Sequence, residues 1–253
     1  MKSKFWLALE IIAGIILIAL LVQFAKRKIE DKNYLIQQEM LKGSIQSVET
    51  TSIKDVSAPV ANRLEERNNM AVQEVEKLRN EHPSIIAVIQ IPGTNVLYPI
   101  VQGEDNQFYL DHDKDGHYHP FGEVFLDSRN TPDFKDTNSI IYGHNIRSAK
   151  TIFNELLQYE DQEYFDAHRA IYLYTQNGFR EYKVVSVFKA NPDESYREID
   201  FDEGGYKNFV EKYFDLSTVK GDLPVSESMI TLSTCFNNEY RMVIQAVEIT
   251  SQD

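Results

Sequence analysis

The chain of 253 residues contains one cysteine, Cys235, set in the segment SMITLSTCFNNEYRMVIQA at 228–246. A cysteine thiolate is a strong nucleophile when a base or a cation stands close to it. Arg241 follows Cys235 after five residues and is a candidate for that cation. Of the six histidines, His144 is placed most like Cys235, because it follows the apolar run Ser139-Ile140-Ile141-Tyr142 and a single glycine, at a strand end. Gly143 gives the backbone freedom to turn sharply there. His82, beside Pro83 at the domain entrance, and His168, after a helical stretch, read as surface residues. Cys235, His144 and Arg241 together could carry nucleophilic acyl chemistry. Cys235 alone fits a buried structural thiol equally well, since free cysteine is among the most buried residue types.

The elements that would position these side chains are short strands. Met229-Ile230-Thr231-Leu232 and Met242-Val243-Ile244 flank a polar turn and read as strand, turn, strand. That places Cys235 at the end of the first strand, facing a cleft that Arg241 shares. Further strands are expected at 85–91, 96–101, 123–126 and 139–142, and a hairpin at 170–174 and 180–190 around Asn177-Gly178. The spacing predicts one helical turn at 106–110 and an amphipathic helix at 150–159. A long excursion at 191–220 carries one helix near 206–214. Short strands at even spacing point to a barrel or a sandwich.

Ahead of this catalytic region, 82–253, lie two other segments. Residues 5–25 are nearly all apolar, close to the roughly 20 residues a helix needs to span a bilayer core. Lys2 and Lys4 precede the run, Lys26, Arg27 and Lys28 follow it, and no Ala-x-Ala cleavage site is evident. Residues 1–28 therefore read as an uncleaved transmembrane signal anchor. Residues 29–81 read as a helical stalk, interrupted at Gly43, in the Ser/Thr cluster 47–57 and at Pro59. It ends in a helix whose Leu64, Met70, Ala71, Val75 and Leu78 could pack on the folded domain. The formal net charge of −13 argues against a nucleic-acid partner. A single cysteine excludes an intrachain disulfide framework and a Cys-rich zinc site. Apolar residues at 42% and aromatics at 11% suffice for a sizeable core and favour strands.

The pairing of Ile141-Tyr142-Gly143-His144 with Thr231-Leu232-Ser233-Thr234-Cys235, followed by an arginine and preceded by a membrane anchor, resembles the sortases. These are membrane-anchored cysteine transpeptidases of Gram-positive bacteria. Ile89-Gln90-Ile91-Pro92-Gly93-Thr94, Tyr98-Pro99-Ile100-Val101-Gln102-Gly103, the Leu-Ser-Thr-Cys form and the insertion at 191–220 are similar to class B in particular. The resemblance runs from about residue 65 to the C-terminus. It implies a mostly β fold, an eight-stranded sortase-type β-barrel with peripheral helices. It makes His144, Cys235 and Arg241 the catalytic residues. It also puts Asn106 and Leu110 in the substrate groove, with Tyr142, Ser233 and Thr234 flanking the catalytic pair. The connection from Cys235 to Arg241 is shorter than in many relatives.

The implied reaction cleaves a C-terminal sorting signal through a thioacyl on Cys235 and passes the acyl group to an amine. The partners implied are a surface protein or pilin bearing the signal, and a cell-wall precursor amine or a pilin lysine. The membrane is reached through the N-terminal helix, and the catalytic domain is extracellular. Hydrolysis by a cysteine peptidase is the competing outcome. No cofactor or metal is implied. Asp111-His112-Asp113-Lys114-Asp115-Gly116 does match the start of a D-x-D-x-D-G calcium loop. Position 12 is Gly122 rather than a bidentate glutamate, so the loop reads as a solvated acidic turn. His112, His117 and His119 read as loop residues rather than a metal site.

Overall fold

The computed structural model describes residues 2–52, 60–224, 226–237 and 239–249. It divides into two compact units, Met1–Ser44 and Ile45–Asp253. The first is helical: α1, Lys2–Ser52, begins there. Within α1, Phe5–Met40 is long and apolar enough to cross a membrane, by length and composition, with a mean hydropathy of 2.7 in its most apolar window. The helix runs unbroken through Gly43, where the sequence suggests an interruption. Glycine in a helix interior costs about 1 kcal/mol relative to alanine, and strong helix formers around it outweigh that. The helix also enters the Ser/Thr cluster as far as Ser52, while 53–59, with Pro59, lie outside the described residues.

In the second unit α2, Val60–Glu81, precedes the sheet. Ala71, Val75 and Leu78 of α2 are buried, at helical spacing. The side chain of Leu64 lies outside the described residues. Ten strands follow among the described residues: β1 Ile85–Gln90, β2 Leu97–Gln102, β3 Val124–Leu126, β4 Asn138–Tyr142, β5 Asn145–Ile146, β6 Thr151–Ile152, β7 Ala170–Thr175, β8 Gly178–Ala190, β9 Met229–Cys235 and β10 Arg241–Glu248. Eight of them close a barrel in the order β1-β2-β3-β4-β9-β10-β8-β7, and β5 pairs with β6 separately. Two neighbouring pairs, β2 with β3 and β4 with β9, are parallel; the others are antiparallel.

The hairpin at Asn177-Gly178 forms between β7 and β8, with Thr175 opposite Gly178. Gly178 has φ +121°, and a Cβ there would lie 2.8 Å from Asn68 Oδ1. Asn68 Oδ1 instead accepts the Phe179 N–H at 2.8 Å, and the Arg67 guanidinium covers the Phe179 ring at 4.3 Å. These contacts dock α2 on the β7–β8 corner. β9 is buried at six of seven positions because both its faces are covered. α4, Gly205–Asp215, belongs to the 191–220 excursion and puts Phe209, Val210 and Tyr213 into a cluster with Phe188, Met229 and Val243.

The segment 150–159 departs from the expected amphipathic α-helix. It forms β6 and then a 3-10 helix, Phe153–Glu160, followed by α3, Gln162–Ala167. The cause is the buried hydroxyl of Tyr98, which contacts Thr151 Oγ1 at 2.8 Å and accepts the Ile152 N–H at 2.9 Å. Holding that bond sets Ile152 at φ +58°, a conformation that breaks a helix.

Candidate active site

The strand register assembles the site. In the parallel β4–β9 pair Tyr142 stands opposite Ser233, and the Gly143 N–H continues the ladder to the Ser233 carbonyl at 3.2 Å. Two residues further along, His144 past the end of β4 and Cys235 at the end of β9 line the same groove. In the antiparallel β9–β10 pair Arg241 lies directly opposite Cys235. The five-residue connection is thus a tight turn, closed by Phe236 N–H to the Tyr240 carbonyl at 3.0 Å. Cys235 is exposed, unlike the six residues before it on β9, so it is not a buried structural thiol.

Gly143 is required for a different reason from the one expected. Its φ is not positive; a Cβ there would lie 2.7 Å from the Phe153 ring. The Phe153 N–H donates to the His144 carbonyl at 3.0 Å. His144 Nε2 is 2.7 Å from the Leu110 carbonyl. A carbonyl can only accept, so the ring carries its proton on Nε2 and leaves Nδ1 free for proton exchange.

A groove of about 220 Å³ opens at Cys235. Its walls include all eight residues singled out in the sequence: Asn106, Leu110, Tyr142, His144, Ser233, Thr234, Cys235 and Arg241. The turn at 106–110 is a 3-10 turn confined to Phe108–Leu110. Asn106 Oδ1 accepts the Ser128 N–H at 2.8 Å. Ser233 and Thr234 are nearly buried, and Ser233 Oγ contacts the Tyr196 hydroxyl at 3.1 Å.

Tyr196, Arg197 and Pro192 also line the groove, and sequence reasoning missed them. They come from the 191–220 excursion, and nothing local in the chain marks them. The excursion is fastened to the barrel by Arg129 Nη2 donating to the Arg197 carbonyl at 3.0 Å and Asn138 Nδ2 donating to the Glu198 carbonyl at 2.8 Å. Beneath the groove Asp127 is fully buried and accepts from Arg129 Nε at 2.9 Å and the Tyr142 hydroxyl at 2.8 Å. Burial alone would raise the Asp127 carboxyl, but the hydrogen bonds of Arg129 and Tyr142 outweigh it and hold the group at about 2. Burial and the charge of Asp127 push the Tyr142 phenol far up, so it stays a donor.

The acidic loop is a turn stabilised from within. Asp113 Oδ1 accepts the N–H groups of Asp115 and His117, both at 2.9 Å. Asp113, Asp115 and His117 have potential ligand atoms within 4.8 Å of one another, but Asp115 already binds Lys114 Nζ at 2.7 Å and His82 Nδ1 at 2.5 Å. His82 is therefore held against Asp115 rather than free at the surface. His168 is half-buried, with Nδ1 2.9 Å from the Tyr164 carbonyl. Of the three loop histidines, His112 stacks on Phe108 at 4.2 Å, His119 is buried and His117 is exposed, so they do not converge.

A closed eight-stranded barrel with a groove at the adjoining ends of β4, β9 and β10 defines the class of fold. A family model for the sortase domain matches residues 89–249. A sortase B of Listeria monocytogenes is 32% identical over 192 residues, which cover 72% of this chain and 77% of that protein. A sortase B of Staphylococcus aureus is 26% identical over 236 residues, covering 92% and 90%. The solved structure of a Staphylococcus aureus sortase B–substrate complex superposes with a TM-score of 0.73 at 26% identity, covering 88% of this chain and all of that one. The chain belongs to the sortase family, and within it to class B; it is a sortase transpeptidase.

Proposed function

We propose that the protein is an anchored cysteine transpeptidase that cuts a C-terminal sorting signal and attaches the surface protein bearing it to a cell-wall amine. The observation that supports this reading is that His144, just past β4, and Arg241, paired with Cys235 across β9–β10, line one groove with an exposed Cys235. The Cys235 sulfur, its proton passed to His144 Nδ1, attacks the scissile carbonyl; an S–C bond forms and the carbonyl π pair moves to oxygen. Arg241, always charged and carrying a fork of donors, holds the oxyanion. As the C–N bond breaks, His144 gives a proton to the departing amine. A second amine then attacks the thioacyl carbon, loses its proton to His144, and displaces the Cys235 thiolate. Asn106, Leu110, Tyr142, Ser233 and Thr234 contact the signal peptide, the last two from the floor of the groove.

The test is mass spectrometry of the full chain in detergent with sorting-signal peptides, with and without candidate amines. A thioacyl adduct on Cys235 and an amide product are expected, and Cys235→Ala should give neither. Product formation by Cys235→Ala would sink the mechanism. Acid product in the presence of every amine would make the enzyme a peptidase, and transfer only to a pilin lysine would make it a pilin polymerase. In the cell, residues 1–28 anchor the protein, 29–81 form the stalk, and the catalytic domain, 82–253, faces outward. Protease shaving of intact cells should degrade that domain, and full protection would reverse the topology.

A further inference from the structure

Besides the barrel ladder, the nucleophile is held by side chains from the small β5–β6 hairpin. Asn145, the residue directly after His144, donates from Nδ2 to the carbonyl oxygen of Cys235 at 2.8 Å. Its other amide atom, Oδ1, accepts from Asn154 Nδ2 at 2.6 Å. Arg147, from the same hairpin, donates to the carbonyl of Phe236, the next residue along the Cys235 turn. The hairpin is itself seated by the pairing of Asn145 with Ile152 and by the Phe153 N–H on the His144 carbonyl.

We infer that Asn145 is a positioning residue that fixes the Cys235 backbone relative to His144, and that Asn154 sets the orientation of its carboxamide. The inference rests on the proposed roles of Cys235 and His144. The donor and acceptor pattern allows one orientation only. If the Asn145 amide were flipped, its oxygen would face the Cys235 carbonyl oxygen and its NH2 would face the Asn154 NH2. The first contact would be repulsive whatever Asn154 does, since neither oxygen can donate, and the second would be repulsive with Asn154 held as it stands. A side chain one residue from the general acid thereby clamps the peptide group of the nucleophile. The sulfur and the imidazole then keep their spacing even though Cys235 stands at the exposed end of its strand.

The test compares Asn145→Ala, Asn145→Asp, Asn154→Ala and Asn154→Asp in the full chain, reading kcat, KM, melting temperature and the rate of Cys235 alkylation by iodoacetamide. Asn145→Asp keeps size and the bond from Asn154 but replaces the donor facing Cys235 with an acceptor. A lost clamp misplaces the nucleophile, so both Asn145 variants should lose roughly 10–100-fold in kcat with KM little changed. Asn145→Asp should be no better than Asn145→Ala despite its shape. Asn154→Asp should behave like Asn145→Asp, because the new carboxylate draws the Asn145 NH2 away from Cys235, and Asn154→Ala should be milder.

The alkylation rate needs no substrate and so separates this inference from the reading it rests on. In the wild type His144→Gln should change the iodoacetamide rate, and in the Asn145→Asp background that effect should largely vanish. If no sorting peptide is cleaved by the wild type, the proposed function fails, and the alkylation cycle still decides on Asn145. An undiminished effect of His144→Gln in the Asn145→Asp background, a kcat for Asn145→Asp within twofold of wild type, or losses that merely follow melting temperature would each overturn the inference.

Discussion

Glu123 is buried at 1% exposure immediately before β3, and replacing it tests how the loop bearing Leu110 is held. Its Oε2 accepts the Lys114 N–H at 3.3 Å, while Oε1 has no hydrogen-bond partner among the described residues. Burial, reinforced by the charge of Asp113 and opposed by Lys114, lifts the carboxyl from 4.5 to about 8. The folded protein therefore binds one proton more than the unfolded chain between those two values. That contribution to stability is fully present below the unfolded value, and it is lost as pH rises towards the folded one. At pH 7 the cost of keeping Glu123 neutral is about 3 kcal/mol, at about 1.4 kcal/mol per pH unit. Glu123→Gln supplies a permanently neutral side chain of the same shape, whose oxygen can still accept from Lys114. Urea unfolding of the full chain in detergent, followed by near-ultraviolet circular dichroism from pH 5 to 9, measures the difference. Wild-type stability should fall across this range until about pH 8, the variant should lack that slope, and at pH 7 the variant should be the more stable. Parallel curves for the two proteins would refute the reasoning. The effect should reach the active site, since the Glu123 N–H bonds the Tyr109 carbonyl at 3.0 Å, next to the Leu110 carbonyl that orients His144.

Two further outcomes are expected. Arg241→Lys keeps the charge but loses the planar fork of donors, so kcat for peptide cleavage should drop sharply; near-normal turnover in Arg241→Ala would show that another donor holds the oxyanion. Gly143→Ala places a Cβ 2.7 Å from the Phe153 ring, and the overpacking should cost about 1–3 kcal/mol in thermal unfolding and lower kcat by displacing His144. Unchanged melting and turnover in Gly143→Ala would show that Phe153 moves aside freely.

Much of the fold was legible because the barrel strands are short apolar runs bounded by turn residues, as in Met229-Ile230-Thr231-Leu232 before Cys235. The candidate site was legible where it depends on strand ends: His144 and Cys235 follow two runs that became β4 and β9, and Arg241 opens β10. What could not be read depends on contacts distant in the chain. The apolar spacing at 150–159 suits an α-helix, and it was overridden by the need of the buried Tyr98 hydroxyl for Thr151 and Ile152, more than fifty residues away. Gly143 looked like a turn glycine and is a close-packing glycine, a distinction that only Phe153 draws. Tyr196 reaches Ser233 across 37 residues, through an excursion whose return path no periodicity fixes.

The same distinction bears on how the geometry of the site is maintained. Cys235, His144 and Arg241 lie at three adjacent strand ends, so the hydrogen-bonded ladder sets their order around the groove. A ladder holds residues only as far as it extends: Cys235 ends β9, Arg241 opens β10, and His144 lies two residues past the end of β4. The remaining constraint comes from outside the strands: the Leu110 carbonyl on His144, Asn145 on the Cys235 carbonyl, and Tyr196 on Ser233. The Leu110 carbonyl belongs to the turn after β2, and the Tyr196 hydroxyl to the excursion after β8. Both loops also form walls of the groove. Under the proposed function, a peptide seated in this groove would lie against the segments that bond His144 and Ser233.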